Sequence, residues 1–288
     1  MELIAGQTVL LTGASGGLGT FMADAFAKRG AKLALVAYPG TELQTLRAAL
    51  EKQGCNSVTY NTDLRDAAQR RELLQRVEKD LGAVDVLINN AGVEYTAAYH
   101  ELTEDGIREV LSVNLEAPMV LSRGVLPGML ERQQGHIVNI SSLAGKSGPA
   151  FQEPYAATKA ALVEFTSSLR ATYRGTRVSA SVVIPGFVEA GIYAKLKRRT
   201  GCSAPAMLGT SAPEAVARAV IRVIERDLPE VIVNPIPVRP LLAFRQMFPS
   251  AGEWTINMLG SNEFFRRVVE AQKHSKLDQA AESQNCTR

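Results

Sequence analysis

Short apolar runs alternate with longer amphipathic runs from the start of the chain. Residues 7–12 are apolar and rich in β-branched side chains, and Leu18, Phe21, Met22, Ala25 and Phe26 then recur at helical spacing. The same alternation predicts strands at 32–37, 57–61, 85–89, 136–141, 177–184 and 230–233. Between them it predicts helices at 41–53, 67–81, 103–113, 115–132, 153–174 and 212–226, with an irregular, partly helical stretch over 187–211. Strands that are apolar throughout are buried on both faces, which implies a parallel sheet with helices on each side. The fold class expected is therefore α/β, a doubly wound parallel sheet of the Rossmann type with right-handed crossovers.

Composition fits one such domain and adds few functions. The chain has 288 residues, 46% hydrophobic and 21% charged, with a formal net charge of +3. That balance gives no electrostatic footprint for nucleic acid. The tight basic cluster Lys195, Lys197, Arg198 and Arg199 reads first as a solvated face. Three widely spaced cysteines, Cys55, Cys202 and Cys286, suggest neither a disulfide framework nor a metal site. Reduced thiols and an N-terminal apolar run that leads into a glycine loop instead of a cleavage site give a cytoplasmic expectation.

The loop Thr12-Gly13-Ala14-Ser15-Gly16-Gly17-Leu18-Gly19 joins the first strand to the first helix. Glycines there let backbone approach a dinucleotide pyrophosphate, and the helix N-terminus offers unpaired N–H groups and a positive dipole end. Its G-x-x-x-G-x-G spacing differs from the G-x-G-x-x-G fingerprint, so its place in the βαβ unit carries the reading. At the end of the second strand, Ala37 and Tyr38 stand where an acid would bind the ribose diol and repel a phosphate on it. This favours NADP(H) over NAD(H), although no arginine is evident to receive that phosphate.

Tyr155 and Lys159 lie four apart on one helix face. A nearby ammonium is expected to lower the phenol pKa and make a usable acid/base. Ser142 ends the preceding strand and can donate to a substrate oxygen. Asn89-Asn90-Ala91-Gly92 ends another strand on the same rim, and Asn114 lies at an expected break between two helices.

Taken together these residues resemble the short-chain dehydrogenase/reductase family. The resemblance covers about residues 6–235 and rests on TGASGGLG (12–19), the Asp63 of NTDL, NNAG (89–92), the Asn114 of SVNLEAP, NISSLAG (139–145), YAATK (155–159) and PGFV (185–188). It implies an oxidoreductase in which Tyr155 exchanges a proton with the substrate oxygen and Lys159 tunes Tyr155 and holds the nicotinamide ribose. Ser142 would hydrogen-bond the carbonyl, and Asn114 would hold a water that links Lys159 to solvent. The cofactor would lie on Gly13, Ser15, Gly17, Leu18 and Gly19, with Tyr38, Asp63 and Leu64 around its adenosine. Asn90, Ala91, Gly92, Pro185, Gly186 and Val188 would border the nicotinamide. A homodimer or homotetramer is also implied.

Three departures bear on that picture. Ala190 replaces a common carboxamide-binding threonine, Gly16 replaces the basic residue typical of NADP users, and the chain continues past the last strand. The expected substrate is a small apolar ketone, aldehyde or secondary alcohol, in a pocket walled by Val93, Tyr95, Leu143, Phe151, Phe187, Ile192, Tyr193 and Leu196. A non-catalytic nucleotide-binding module and an isomerase or dehydratase on the same scaffold are the alternatives. Residues 1–235 are expected to form the catalytic domain and 236–270 an apolar extension that serves as a lid, a subunit interface or a peripheral membrane contact. Residues 271–288, polar throughout, are expected to form a disordered tail.

Overall fold

The structure, a computed structural model, describes residues 5–40 and 42–285; the side chains of 275–285 lie outside that description. Seven strands are present: β1 Thr8–Thr12, β2 Lys32–Ala37, β3 Ser57–Asn61, β4 Val86–Asn89, β5 Gly135–Ile140, β6 Val178–Pro185 and β7 Glu230–Val233. They form one sheet in the order β3-β2-β1-β4-β5-β6-β7. Every neighbouring pair is parallel. The direction of winding reverses between β1 and β4, and ligands of open α/β sheets bind at such a point, beyond the C-terminal strand ends.

Side chains alternate across the sheet and set the two helical layers. On one face Val9, Leu11, Leu33 and Val86 pack against Met22 and Phe26 of α1 (Gly17–Ala27), Leu43 and Leu50 of α2 (Leu43–Glu51), and Val220 and Ile224 of α9 (Pro213–Glu225). On the other, Leu10, Ala34 and Leu87 meet Leu73 and Val77 of α3 (Ala67–Leu81) and Leu121 and Met129 of α5 (Ala117–Glu131). Local chemistry fixes the helix starts. The Asp66 carboxylate accepts from the N–H groups of Ala68 and Gln69 at the head of α3. Thr103 caps α4 (Glu104–Leu111) by accepting from the Gly106 N–H.

The expected break at Asn114 is instead a π-helical turn, Ser112–Glu116, inside one continuous helical run from α4 to α5. Pro118 has no N–H to offer the Asn114 carbonyl four residues earlier, and the Ala117 N–H reaches back five residues to Ser112. The helix thus absorbs the missing donor by widening, not by stopping.

The irregular region contains α8 (Gly191–Thr200) and returns to the sheet edge through a bridge between Val188 and Ser211. Past β7 come α10 (Arg239–Met247), α11 (Pro249–Met258) and α12 (Ser261–Asn285). The tail expected to be disordered from residue 271 is a continuation of α12. No glycine or proline interrupts residues 261–285, and Ala, Gln, Glu and Lys recur in its C-terminal half. Residues 286–288, Cys286 included, lie outside the described residues, as does Thr41 of the second expected helix. Among the described residues no helix is long and apolar enough to cross a membrane, and none form a metal-binding cluster.

Candidate active site

The C-terminal ends of β1, β4, β5 and β6 converge on a cavity of about 300 Å³. At one end lies the glycine loop. Gly13 has φ +65°, and a Cβ there would stand 2.8 Å from the Ala91 Cα; a Cβ on Gly19 would stand 2.2 Å from the Gly13 carbonyl. Both positions therefore exclude a side chain. Asn90 secures the loop by donating from Nδ2 to the carbonyls of Thr12 and Gly13, each at 3.0 Å. The Thr12 hydroxyl accepts from the Asn90 and Ala91 N–H groups. Helix α1 begins with no side-chain cap and no acidic residue in its first turn. Its N–H groups are thus left for an anion, and the residues present fit a dinucleotide pyrophosphate.

At the other end stands α7 (Glu153–Thr172), which carries Tyr155 and Lys159. The short helix α6 (Ala144–Ser147) presses against it at Gly145, where a Cβ would meet the Lys159 backbone at 2.5 Å. This contact sets Ser142 beside the Tyr155 hydroxyl. The Ser141 hydroxyl donates to the Lys159 carbonyl at 2.7 Å and ties β5 to the same helix. Lys159 Nζ donates to the Ile140 carbonyl at 2.9 Å and lies 5.6 Å from the centre of the Tyr155 ring.

The electrostatics correct the expected tuning of Tyr155. Burial pushes its hydroxyl up to about 12, the Ser142 hydrogen bond pulls it down, and the Glu94 carboxylate raises it further. The Lys159 ammonium is turned to the Ile140 carbonyl and the ring face, and burial outweighs it. Burial draws Lys159 itself down to about 8.

Of the residues expected at the site, Gly13, Gly17, Leu18, Asn90, Ala91, Gly92, Ser142, Tyr155, Lys159, Pro185, Gly186 and Val188 line this cavity. Gly19, Ser15, Tyr38, Asp63, Leu64 and Asn114 stand outside its lining. Asn114 is fully buried, and its amide bonds both backbone groups of Val93, accepting at 2.8 Å and donating at 2.9 Å. Both Asn114 Oδ1 and Lys159 Nζ lie against Gly92, on which a Cβ would meet them at 3.4 and 3.6 Å.

Asp63 and Tyr38 meet at Arg65, a residue the sequence reading passed over. Arg65 pairs with the Asp63 carboxylate at 2.7 Å, donates to the Tyr38 hydroxyl at 3.0 Å and stacks on its ring at 5.2 Å from the centre. An arginine therefore does stand beside Tyr38, contrary to the expectation that none would.

Leu143, Phe187, Ile192, Tyr193 and Leu196 are in the cavity wall as expected, whereas Val93, Tyr95 and Phe151 are not. Tyr95 turns outward to Glu109. Phe151 joins the cluster in which Phe187, Tyr193, Phe264 and Phe265 pack edge to face. The extension supplies wall that was only one of several expected fates: Val238, Leu241, Leu242, Ile256, Leu259 and Phe265 line the cavity. Two polar residues there, Glu94 and Gln152, were also missed. Glu94 follows the NNAG rim by two positions and Gln152 precedes Tyr155 by three, so proximity in sequence was the available signal.

Residues 7–201 match the family model for short chain dehydrogenases. The chain belongs to the short-chain dehydrogenase/reductase family. As a member of that family it is an oxidoreductase. It is 38% identical over 275 residues to the ketoacyl reductase HetN of Nostoc sp., covering 94% of this chain and 95% of that one. A short-chain dehydrogenase/reductase from Burkholderia phymatum in complex with NAD superposes with a TM-score of 0.78 at 26% identity, over 87% of this chain and 96% of that one. The actinorhodin polyketide ketoreductase with NADPH superposes with a TM-score of 0.75 at 29% identity, over 81% of this chain and 97% of that one.

Proposed function

We propose that this protein reduces the carbonyl of an apolar ketone or aldehyde, or oxidises the matching secondary alcohol, with NAD(P)(H) as hydride partner and Tyr155 as acid/base. The observation that carries the reading is the convergence of Ser142, Tyr155 and Lys159 on the cavity that also takes in Gly13, Gly16 and Gly17. A module that only bound nucleotide would have no use for a hydroxylated, buried proton donor at the far end of that cavity. The relatives named as ketoacyl reductase and ketoreductase support a ketone as the reacting group.

When bound, the nicotinamide supplies or accepts the hydride. The chain's own residues handle the proton. Burial keeps Tyr155 protonated well above neutral pH, so it enters a reduction as an acid and gives its hydroxyl proton to the carbonyl oxygen. Ser142 donates a hydrogen bond to that same oxygen and disperses the charge that develops on it. Lys159, held beside the Tyr155 ring, stabilises the phenolate left behind. Asn114 acts from behind: Pro118 deprives its carbonyl of the usual helical donor, and a water on that carbonyl would return a proton toward Lys159. The helices α10 to α12 serve as a lid whose inner face makes the pocket apolar.

The test is oxidation of NADPH and NADH against a panel of aliphatic and aromatic ketones and aldehydes. Carbonyl-dependent oxidation supports the reading. Tight cofactor binding with no turnover of any carbonyl or alcohol would favour the non-catalytic module instead.

A further inference from the structure

A carboxylate in the wall of a largely apolar pocket costs free energy unless something uses it. Glu94 is such a group, and it is built into its place. The Thr96 hydroxyl and the Gln152 Nε2 both donate to Glu94 Oε1. Gln152 Nε2 also reaches the Thr96 hydroxyl at 2.7 Å. Thr96 and Gln152 are 5% and 3% exposed, so the two donors are themselves fixed in the core. They come from separate segments. Thr96 lies on the loop after β4, and Gln152 is the residue immediately before α7, three positions from Tyr155. Oε1 is therefore pinned twice. Among the described residues, both side-chain hydrogen bonds to the carboxylate fall on Oε1 and not on Oε2, and Glu94 lines the cavity together with Tyr155 and Ser142. Burial raises the Glu94 carboxyl above the usual carboxylate range, and the Thr96 and Gln152 hydrogen bonds and the Arg199 charge partly offset this; Lys159 and Lys195 line the same cavity.

We propose that Glu94 is a substrate-selecting residue: its Oε2 accepts a hydrogen bond from a hydroxyl or amide N–H carried by the carbonyl compound seated at Tyr155. The preferred substrate class is then narrower than an apolar ketone. It is an apolar chain with one hydrogen-bond donor close to the reacting carbonyl, as in a β-keto amide or a β-hydroxy ketone. This rests on the carbonyl-reductase reading above. A site that offers an acceptor to a substrate donor discriminates against the analogue lacking that donor, because the acceptor is otherwise left unpaired. Thr96 and Gln152 are positioning residues. They hold Oε1 so that Oε2 keeps one direction.

The experiment compares two ligands of nearly equal shape, N-methyl and N,N-dimethyl β-ketooctanamide, of which only the first has an N–H. Isothermal titration uses the full chain saturated with oxidised NADP, so that no reduction occurs. The wild type is expected to bind the N-methyl amide about tenfold more tightly, equivalent to about 1.4 kcal/mol. Glu94→Gln keeps an acceptor oxygen and retains most of the preference, whereas Glu94→Leu loses it. A purely structural Glu94 would weaken both ligands alike. Equal affinities in the wild type, binding of neither amide, or a preference that survives Glu94→Leu would overturn the proposal. Because binding is read without turnover, failure of the wild type to reduce plain octanone with NADPH would count against the carbonyl-reductase reading alone.

Discussion

Lys159 Nζ lies 5.6 Å from the centre of the Tyr155 ring while donating at 2.9 Å to the carbonyl of Ile140. The ammonium thus meets the face of the phenol and a strand end, in a setting dry enough to draw it down to about 8 from its ordinary 10.5. The folded chain releases this proton near pH 8, whereas the unfolded chain keeps it until 10.5. Between those values the unfolded state holds more protons, so stability contributed by this group rises with pH. Lys159→Met is expected to flatten that rise and to abolish turnover. Urea unfolding of both proteins at pH 8 and pH 10 gives the two slopes, and equal slopes would show that Lys159 is not buried as a charge.

His136 supplies the acid-side counterpart. It is 2% exposed, its Nε2 is 2.8 Å from the Ser181 hydroxyl, and burial draws it down to about 4 from 6.5. As pH falls through 6.5 the unfolded chain takes up the proton while the folded chain refuses it, so stability is lost down to about pH 4. The loss reaches on the order of 3 kcal/mol at the low end. His136→Gln should remove most of this sensitivity. Denaturant midpoints of the two proteins at pH 7 and pH 4.5 make the comparison, and parallel decline would place the acid sensitivity elsewhere.

The sheet was legible because most strands are apolar runs bounded by polar or glycine residues, and a parallel sheet buried on both faces leaves that signature; β3, at the sheet edge, is the more polar exception. The candidate site was legible because Ser142, Tyr155 and Lys159 sit at strand ends and on one helix face, positions that topology alone brings together. Other features depend on contacts that no periodicity encodes. Arg65 reaches Tyr38 across 27 residues. Glu94 and Gln152 meet across 58. The dry setting that reverses the expected effect on Tyr155 is a property of the packed interior and appears nowhere in the spacing of Tyr155 and Lys159. The π turn at Asn114 was expected as a break between two helices, and the sequence does not say that a helix can widen around Pro118.

The contact of Arg65 with Tyr38 bears on cofactor choice. With Ala37 in place of an acid and a guanidinium at the same rim, NADP(H) is expected to bind at least tenfold more tightly than NAD(H). Arg65→Ala should cut that advantage while leaving NAD(H) affinity within about twofold. Dissociation constants from nicotinamide fluorescence for four protein–cofactor pairs decide it. A wild type that prefers NAD(H), or an Arg65→Ala variant that keeps its full NADP(H) preference, would remove Arg65 from the cofactor site.

A chain ending at Val233 would lack α10 to α12. It loses Val238, Leu241, Leu242, Ile256, Leu259 and Phe265 from the cavity wall, and it uncovers Phe187 and Tyr193 by removing Phe264. The glycine loop and α7 are untouched. Cofactor affinity is therefore expected to persist while KM for apolar ketones rises by about tenfold or more. Steady-state kinetics with parallel cofactor titration separate the two effects, and an unchanged KM would exclude α10 to α12 from substrate binding.

Tyr155 as the proton donor is the claim on which the rest depends. The direct measurement is single-turnover stopped-flow oxidation of enzyme-bound NADPH on mixing with a ketone, for the wild type and Tyr155→Phe. The phenyl ring preserves the packing and lacks only the hydroxyl. Cofactor affinity should hold within about twofold while the hydride-transfer rate falls by on the order of 100-fold or more. A Tyr155→Phe rate within severalfold of the wild type, with cofactor still bound, would contradict the assignment.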